Sequence, residues 1–180
     1  MTEDALMAIV STTEPLQRSK ATNAYVIKNP NEVKNAFTIT DVSKASETLK
    51  LDTDDKLVGL KSFLKNYDMT SISTDDIRKV GRRLYDSGAI DVQAFGMFIA
   101  GDMANDEKGH PTNTHVKFNA IALFNQRLAD YDAFLKDNPK LKTHDNLAWR
   151  QGMVAANQAV NALLYFVNSA SSRLSVDEHA

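Results

Sequence analysis

From residue 52 onward, apolar residues recur at every third or fourth position, the spacing that places side chains on one face of an α-helix. The stretches between these periodic segments are polar or contain Gly and Pro. The predicted helices cover residues 53–67, 73–87, 91–100, 114–137 and 144–170. This pattern predicts an all-α fold, an antiparallel helical bundle of about five helices that occupies residues 51–176.

The first 50 residues show no sustained periodicity. They are rich in Ser, Thr, Asn and Lys, and their apolar residues stand in short clusters. The run Asn29-Pro30-Asn31-Glu32 carries a helix-start signal, because Asn can cap, Pro suits the first helical position and Glu can close a capping box. The clusters at 24–27 and 37–40 suit short strands equally well. We therefore expect a flexible or irregular N-terminal arm over residues 1–50.

Residues 72–100 predict two helices joined by a tight turn. Ser73 and Asp91 are suited to cap the starts of these helices, and Gly88 is suited to the left-handed backbone that ends the first one. The first helix has one apolar stripe, and its basic residues lie on the opposite face: Arg78, Lys79, Arg82 and Arg83. The second helix, VQAFGMFIA, is apolar nearly all round, so we expect other helices to enclose it or a partner to cover it.

Composition narrows the classes of function. Hydrophobic residues make up 43% of the 180 residues and charged residues 24%, which is ordinary globular usage. Basic and acidic residues nearly balance, 21 against 23, so no overall field favours nucleic acid or a membrane surface. The absence of Cys excludes disulfides, thiolate metal ligands and thiol nucleophiles.

Two features of the sequence bear on targeting. No apolar run approaches the roughly 20 residues of a membrane-spanning helix. The acidic start of the chain and its short apolar run do not resemble a secretory signal. We therefore expect a cytoplasmic protein, with export by a specialised secretion system left open.

Ile72 and Ile90 each stand where a calcium-binding loop would have its central hydrophobic residue. If Ile72 takes that position, the first ligand position falls on Lys65; for Ile90 it falls on Arg83. Cations cannot replace the carboxylates required at the first ligand position. We therefore predict no calcium site at either place.

The basic face of the first hairpin helix raises the alternative of a nucleic-acid reader. Asp75 and Asp86 lie within pairing distance of these cations along the helix. In a DNA-binding helix-turn-helix the second helix enters the groove, and here the second helix has no basic residue. We expect no specific nucleic-acid partner.

Metal-ligating and acid–base residues are concentrated in one loop, which contains Asp106, Glu107, His110 and His115. Two histidines five residues apart in a loop with Gly and Pro fix no ligand geometry, unlike two histidines one helical turn apart. No phosphate-binding loop or nucleophile motif occurs elsewhere. We predict no catalytic residue, no cofactor and no metal ligand.

The run LYDSGAIDVQAF, residues 84–95, resembles the hairpin pattern of SHOCT-type short domains, in which Leu-x-x-x-Gly-x-Ile-Thr-x-x-Glu-Phe joins two short helices. The wider run over residues 67–98 also resembles a group of uncharacterised small bacterial proteins, some of them linked to motility or secretion loci. The resemblance implies a hairpin that mediates oligomerisation or binding. It also implies a packing role for Leu84, Gly88, Ile90 and Phe95.

The sequence thus predicts a non-enzymatic bacterial interaction or accessory protein whose hairpin at 72–100 packs or binds. We expect the partner to be another protein or a second copy of the chain, and not a membrane. The candidate interaction residues are Arg78, Arg82, Phe95, Met97 and Phe98, and the candidate structural turn is Gly88. The alternative is a small enzyme or ligand-binding helical bundle with its site near the loop at 101–115.

Overall fold

Six α-helices, two short strands and one 3-10 turn make up the described part of the protein, a computed structural model that describes residues 24–174, with side chains as far as Ser169. The helices are α1 (Val42–Thr48), α2 (Asp54–Leu64), α3 (Thr74–Asp86), α4 (Val92–Ala100), α5 (Ala120–Asp137) and α6 (His144–Leu174). The strands are β1 (Ile72–Ser73) and β2 (Lys117–Phe118), and the 3-10 turn is Pro139–Leu141. The predicted all-α class is confirmed, and the described bundle has one helix more than predicted, α1.

A side chain caps the start of each of these helices. The capping side chains of α1 to α5 accept a hydrogen bond from the backbone N–H three residues on, at 2.8 to 3.4 Å: Asp41, Thr53, Ser73, Asp91 and Asn119. Thr143 does the same for α6, with its hydroxyl 3.3 Å from the backbone nitrogen of Asn146. Because the first N–H groups of a helix have no partner within the helix, these caps fix where each helix begins.

The long helix α6 is the common packing partner of α1, α2, α4 and α5. Small residues on it let α4 come close, since a Cβ added to Gly152 would lie 2.9 Å from the backbone carbonyl carbon of Gln93. Helices α3 and α4 are equally close, because a Cβ added to Gly81 would lie 2.8 Å from Cγ of Phe98. Helix α4 is therefore held between α3 and α6, without space for larger side chains at these two glycines.

The turn between α3 and α4 depends on Gly88, whose φ of +73° is in the left-handed region. The N–H of Ala89 donates to the carbonyl of Leu84, and the N–H of Gly88 donates to that of Tyr85, both at 2.9 Å. This pair of hydrogen bonds is the Schellman pattern that closes a helix end. A Cβ at Gly88 would contact nothing, so the backbone conformation alone favours glycine there.

Two loops pair with each other at one end of the bundle. Strand β1 precedes α3, strand β2 precedes α5, and the two are antiparallel with Ile72 opposite Phe118. The backbone N–H of Ala120 also donates to the carbonyl of Met69 at 2.9 Å. The pairing joins the α2–loop–α3 unit to the α4–loop–α5 unit.

The described part of the predicted arm is irregular but attached to α5. The side chain of Gln126 accepts from the N–H of Lys28 and donates to the carbonyl of Val26, both at 2.6 Å. The hydroxyl of Tyr25 donates to Asp130 at 2.9 Å. Side-chain hydrogen bonds to backbone thus hold a segment that has no secondary structure of its own.

The local elements predicted for the arm differ from those in the structure. Residues 30–31 form a turn that is not followed by a helix, and residues 24–27 and 37–40 form no strands. A helix forms later, at α1, and buries Ala45 and Leu49 in the core. Residues 24–41 are thus irregular, one of the two predicted alternatives, and are attached to α5; the predicted flexibility of the arm stays a prediction. Residues 1–23 of the predicted arm lie outside the described residues.

Gly152→Ala should lower the free energy of unfolding by about 1–3 kcal/mol, because the added methyl would overlap the backbone of α4. Gly59→Ala in α2 is the matched control, since its Cβ would have only the Arg83 guanidinium within 4 Å, at 3.9 Å. There the higher helix propensity of Ala should raise the free energy of unfolding by up to about 1 kcal/mol. Urea unfolding measures both changes. Stabilisation by both substitutions would contradict the close contact of α4 with α6.

The attachment of Tyr25 should be visible at alkaline pH. Burial, and after it the hydrogen bond to Asp130, raises the pKa of Tyr25 from 10.0 to about 12. A pKa raised by folding stabilises the fold fully below the unfolded pKa, and the contribution is lost as pH rises through the folded pKa. Between pH 10 and 12, the free energy of unfolding of the wild-type protein should therefore fall more steeply than that of Tyr25→Phe. Parallel curves in denaturant titrations would show that Tyr25 is not held in this way.

Candidate interaction surface

The outer sides of α3 and α4 form a continuous surface that combines cations with apolar side chains. The lining residues are Arg78, Lys79, Arg82, Arg83 and Asp86 from α3, and Phe95 and Ile99 from α4. Tyr85 adjoins them, because its ring stacks on that of Phe95 with the centroids 4.8 Å apart and the planes at 15°. These residues, with Tyr85, are called the α3–α4 surface below.

The apolar part of this surface comes from both helices. Phe95 and Ile99 are one turn apart and so lie on the same side of α4. Phe95 is half-buried, whereas Ile99 is 38% and Tyr85 39% exposed. The three side chains together place large apolar groups in contact with solvent between the cations.

Arg78 connects the two helices at this surface. Its Nε donates to the backbone carbonyl of Ile99 at 2.7 Å. This carbonyl belongs to the last turn of α4, where carbonyls lack partners within the helix and the helix dipole favours a cation. Arg78 therefore has a structural role as well as a charge.

Two of the other cations pair with carboxylates on α3. Lys79 lies 2.9 Å from Asp76, and Arg82 lies 3.2 Å from Asp86. The hydrogen bond between Lys79 and Asp76 raises the pKa of Lys79 and lowers that of Asp76. All four side chains are substantially exposed, so such pairs contribute little to stability. They leave the surface with a net positive charge.

Three of the five predicted interaction residues lie on this surface: Arg78, Arg82 and Phe95. Met97 and Phe98 do not, because both are fully buried. The Phe98 ring packs edge-on against that of Phe124, with the centroids 5.2 Å apart. The prediction that Met97 and Phe98 contact a partner is therefore corrected, since α4 directs them into the core.

Tyr85 and Ile99 also lie on this surface, although they are not among the predicted interaction residues. Ile99 follows Phe95 by four residues, which is a signal for a shared helix face. Tyr85 is brought opposite Phe95 by the hairpin turn at Gly88. The apolar part of the surface thus consists of Phe95 with these two residues.

The loop at 101–115, predicted as the site of the alternative function, uses its carboxylate for local structure. Asp106 accepts hydrogen bonds from the N–H groups of His110 and Lys108, at 2.8 and 2.9 Å. These bonds, that from His110 first, lower the pKa of Asp106. Glu107 and His115 are exposed. Across residues 24–169, no group of three His, Cys, Asp or Glu side chains is placed to hold a metal ion.

The loop before α3 has the helix–loop–helix outline of a calcium-binding unit, but its ligand positions are unsuitable. Lys65 stands at the first of them, as the alignment on Ile72 predicts. Met69, at a position where a ligand is required, is fully buried in the core. Asp76, at the last position, is bonded to Lys79 and to Ser73. The unit therefore has a structural role, with its loop filled by an apolar side chain.

A second feature is an open groove between the described arm, the loop before α3 and the end of α6. The residues that line it come from three segments, 33–40, 65–70 and 161–169, and they include Tyr67, Leu164 and Tyr165. Asn161 is among its lining residues and is only 2% exposed, and its amide oxygen has no hydrogen-bond partner within the described chain. Such a group favours a donor from a bound molecule or water.

No family model, curated protein or solved structure matches this chain. The resemblance to SHOCT-type hairpins therefore stays a prediction. Of the helices in residues 24–174, none combines the length and the hydropathy needed to cross a bilayer.

Proposed function

We propose that this chain is a non-enzymatic interaction or accessory protein that binds another protein through the α3–α4 surface. One observation carries the proposal: Tyr85, Phe95 and Ile99 form an apolar cluster that remains in contact with solvent between cations. Clustered exposed apolar side chains are typical of binding sites. Tyr, Phe and Arg are also the residue types enriched where interfaces gain most of their energy.

The charges on the surface indicate the chemistry of the partner. Arg78 and Arg83 have no carboxylate within ion-pair distance among the described side chains, and Lys79 and Arg82 are only partly neutralised. A partner segment with apolar side chains next to Asp or Glu would match both features. The apolar contacts would supply the affinity, and the charges would steer association.

A nucleic-acid partner fits this surface less well. Asp86 lies within the surface and Asp76 beside it, where they would repel phosphates. The adjacent residues on α4 are apolar and offer no donor to a base edge.

The groove beside Asn161 supports the alternative, a ligand-binding bundle. Its half-buried tyrosines and the unpaired amide oxygen suit a small molecule that carries hydrogen-bond donors. This alternative would therefore use the groove instead of the loop at 101–115.

Ile99→Glu tests the proposed surface, because it places a carboxylate in the apolar cluster and leaves the backbone carbonyl that Arg78 binds. Leu147→Glu is the matched control, since Leu147 is an aliphatic residue on α6, is 41% exposed and does not line the surface. With both variants first shown to have wild-type helicity and melting temperature, each is used as bait in affinity capture from the native cell. We expect Ile99→Glu to lose a protein that wild type and Leu147→Glu both retain.

Charge reversal at Arg82 completes this test. Arg82→Glu should weaken capture modestly, and the loss should grow smaller at high salt, because exposed charges are screened. Equal capture by wild type and Ile99→Glu would contradict the proposal. So would captured material that disappears on nuclease treatment.

A further inference from the structure

We propose that the end of the bundle where α5 turns into α6 docks on an anionic lipid surface. This end, called the α5–α6 tip below, is residues 134–147: the last turn of α5, the 3-10 turn Pro139–Leu141 and the start of α6. None of its residues lines the α3–α4 surface. The inference therefore goes beyond the proposed function and does not depend on it.

Three large apolar side chains of the α5–α6 tip are in contact with solvent. Phe134 is 45% exposed, and Leu141 and Leu147 are each 41% exposed. Every residue from 136 to 145 is exposed as well, so no other described part of the chain covers this end of the bundle. Large apolar side chains that are exposed together are typical of a binding surface.

Hydrogen bonds hold the α5–α6 tip in a defined shape. The N–H of Asn138 donates to the carbonyl of Phe134 at 3.0 Å, and the side chain of Asn146 donates to the carbonyl of Leu141 at 2.6 Å. The Tyr131 hydroxyl donates to the carbonyl of Asn146 at 3.3 Å, and the Tyr131 ring stacks on that of Phe134. Phe134 and Leu141 are thus linked through Tyr131 and Asn146, and the fold itself keeps them exposed.

Cations stand between these apolar side chains. The lysines of the tip are exposed and form no ion pair with a described side chain: Lys136, Lys140 and Lys142. The carboxylates are Asp137 and Asp145, and Asp145 lies in the first turn of α6, where the helix dipole offsets its charge. The lysines outnumber the carboxylates. The near balance of charge over the whole chain, which argues against a membrane partner, does not describe this local surface.

The apolar side chains lie at a depth suited to the membrane interface. Phe134 stands three residues before the end of α5, and Leu147 stands three residues after the start of α6. At 1.5 Å per residue, both are about 4.5 Å from their helix ends, and Leu141 lies in the turn beyond them. Interfacial segments bury their apolar side chains about 5–10 Å into the headgroup and acyl boundary. The lysines would then reach the lipid headgroups with their long side chains.

The residue types favour a lipid surface over an acidic protein. Lys is depleted at protein–protein interfaces, where Arg, Tyr and Trp are enriched. Residues 134–147 combine Lys with Leu and Phe and contain no Arg, Tyr or Trp. Lysines near anionic lipids act as flexible point charges that require no fixed geometry. Such a contact is peripheral, since none of the helices in residues 24–174 could cross a bilayer.

Cosedimentation of the full-length protein with vesicles tests the contact. We expect binding to vesicles of phosphatidylcholine and phosphatidylglycerol in equal amounts, and at least about tenfold weaker binding to phosphatidylcholine alone. Binding should weaken at high salt, because the charges are screened. Equal binding to both kinds of vesicle, or no binding to either, would overturn the proposal.

Two pairs of variants, each first shown to have wild-type helicity, assign the binding to the tip. Leu141→Ser leaves the charge unchanged and should weaken binding about tenfold, whereas Val58→Ser should not. Val58 is 65% exposed and lies on α2, which packs near Phe166, far along α6 from the tip. Lys140→Gln should weaken binding about fivefold, whereas Lys44→Gln, at an exposed lysine of α1, should not. Equal effects within either pair would overturn the proposal.

A fluorophore distinguishes insertion from charge attraction alone. The chain has no Cys, so Leu141→Cys provides one position for the environment-sensitive dye NBD. On anionic vesicles we expect the emission to rise and to shift to shorter wavelength, because the dye enters an apolar environment. The same dye at Val58→Cys should keep its emission. Unchanged emission at position 141 on bound vesicles would overturn the proposal.

The lipid contact and the proposed function can fail separately. Ile99→Glu should lose the captured protein and keep vesicle binding, whereas Leu147→Glu should keep the captured protein and lose vesicle binding. Loss of vesicle binding by Ile99→Glu instead of Leu147→Glu would overturn the assignment to the tip. Capture of an acidic protein that depends on Leu141, without vesicle binding, would assign the tip to a protein partner and overturn the lipid contact.

Discussion

The close approach of α4 to both α3 and α6 is the constraint on which the rest of the structure depends. It is possible because glycines stand at the two points of contact, Gly81 facing Phe98 and Gly152 facing Gln93. Because neither glycine has a side chain, α4 fits closely against both neighbouring helices at these two points. Helix α4 therefore has its inner sides fixed, and Ala94, Met97 and Phe98 are buried as a result.

The same constraint defines the surface proposed for binding. With its inner sides occupied, α4 exposes one strip, which contains Phe95 and Ile99. The Schellman turn at Gly88 and the hydrogen bond from Arg78 to α4 hold α3 beside this strip. Cations and apolar groups thus stay in a constant arrangement, which limits the entropy lost when a partner binds.

Sequence predicted those features that depend on local signals. Helix caps such as Ser73 and Asp91, and the left-handed residue Gly88, have short-range signatures and are found where the sequence indicates them. The sequence does not predict which side of α4 faces the core, because a helix that is apolar nearly all round has no preferred face. For this reason the sequence-based prediction assigned Met97 and Phe98 to the binding surface. The sequence-based prediction also lacked α1. It lacked the attachment of the arm through Gln126 as well, because single hydrogen bonds between distant residues leave no periodic pattern in the sequence.

Native-state hydrogen exchange of α4 tests the central claim most directly, because the close contacts at Gly81 and Gly152 hold α4 between α3 and α6. The amides in the middle of α4 should exchange only through global unfolding, with the same free energy and the same denaturant dependence as those at the centre of α6. Exchange of α4 through local opening, at a lower free energy than α6, would contradict the account. The outer strip of α4 would then have no fixed support.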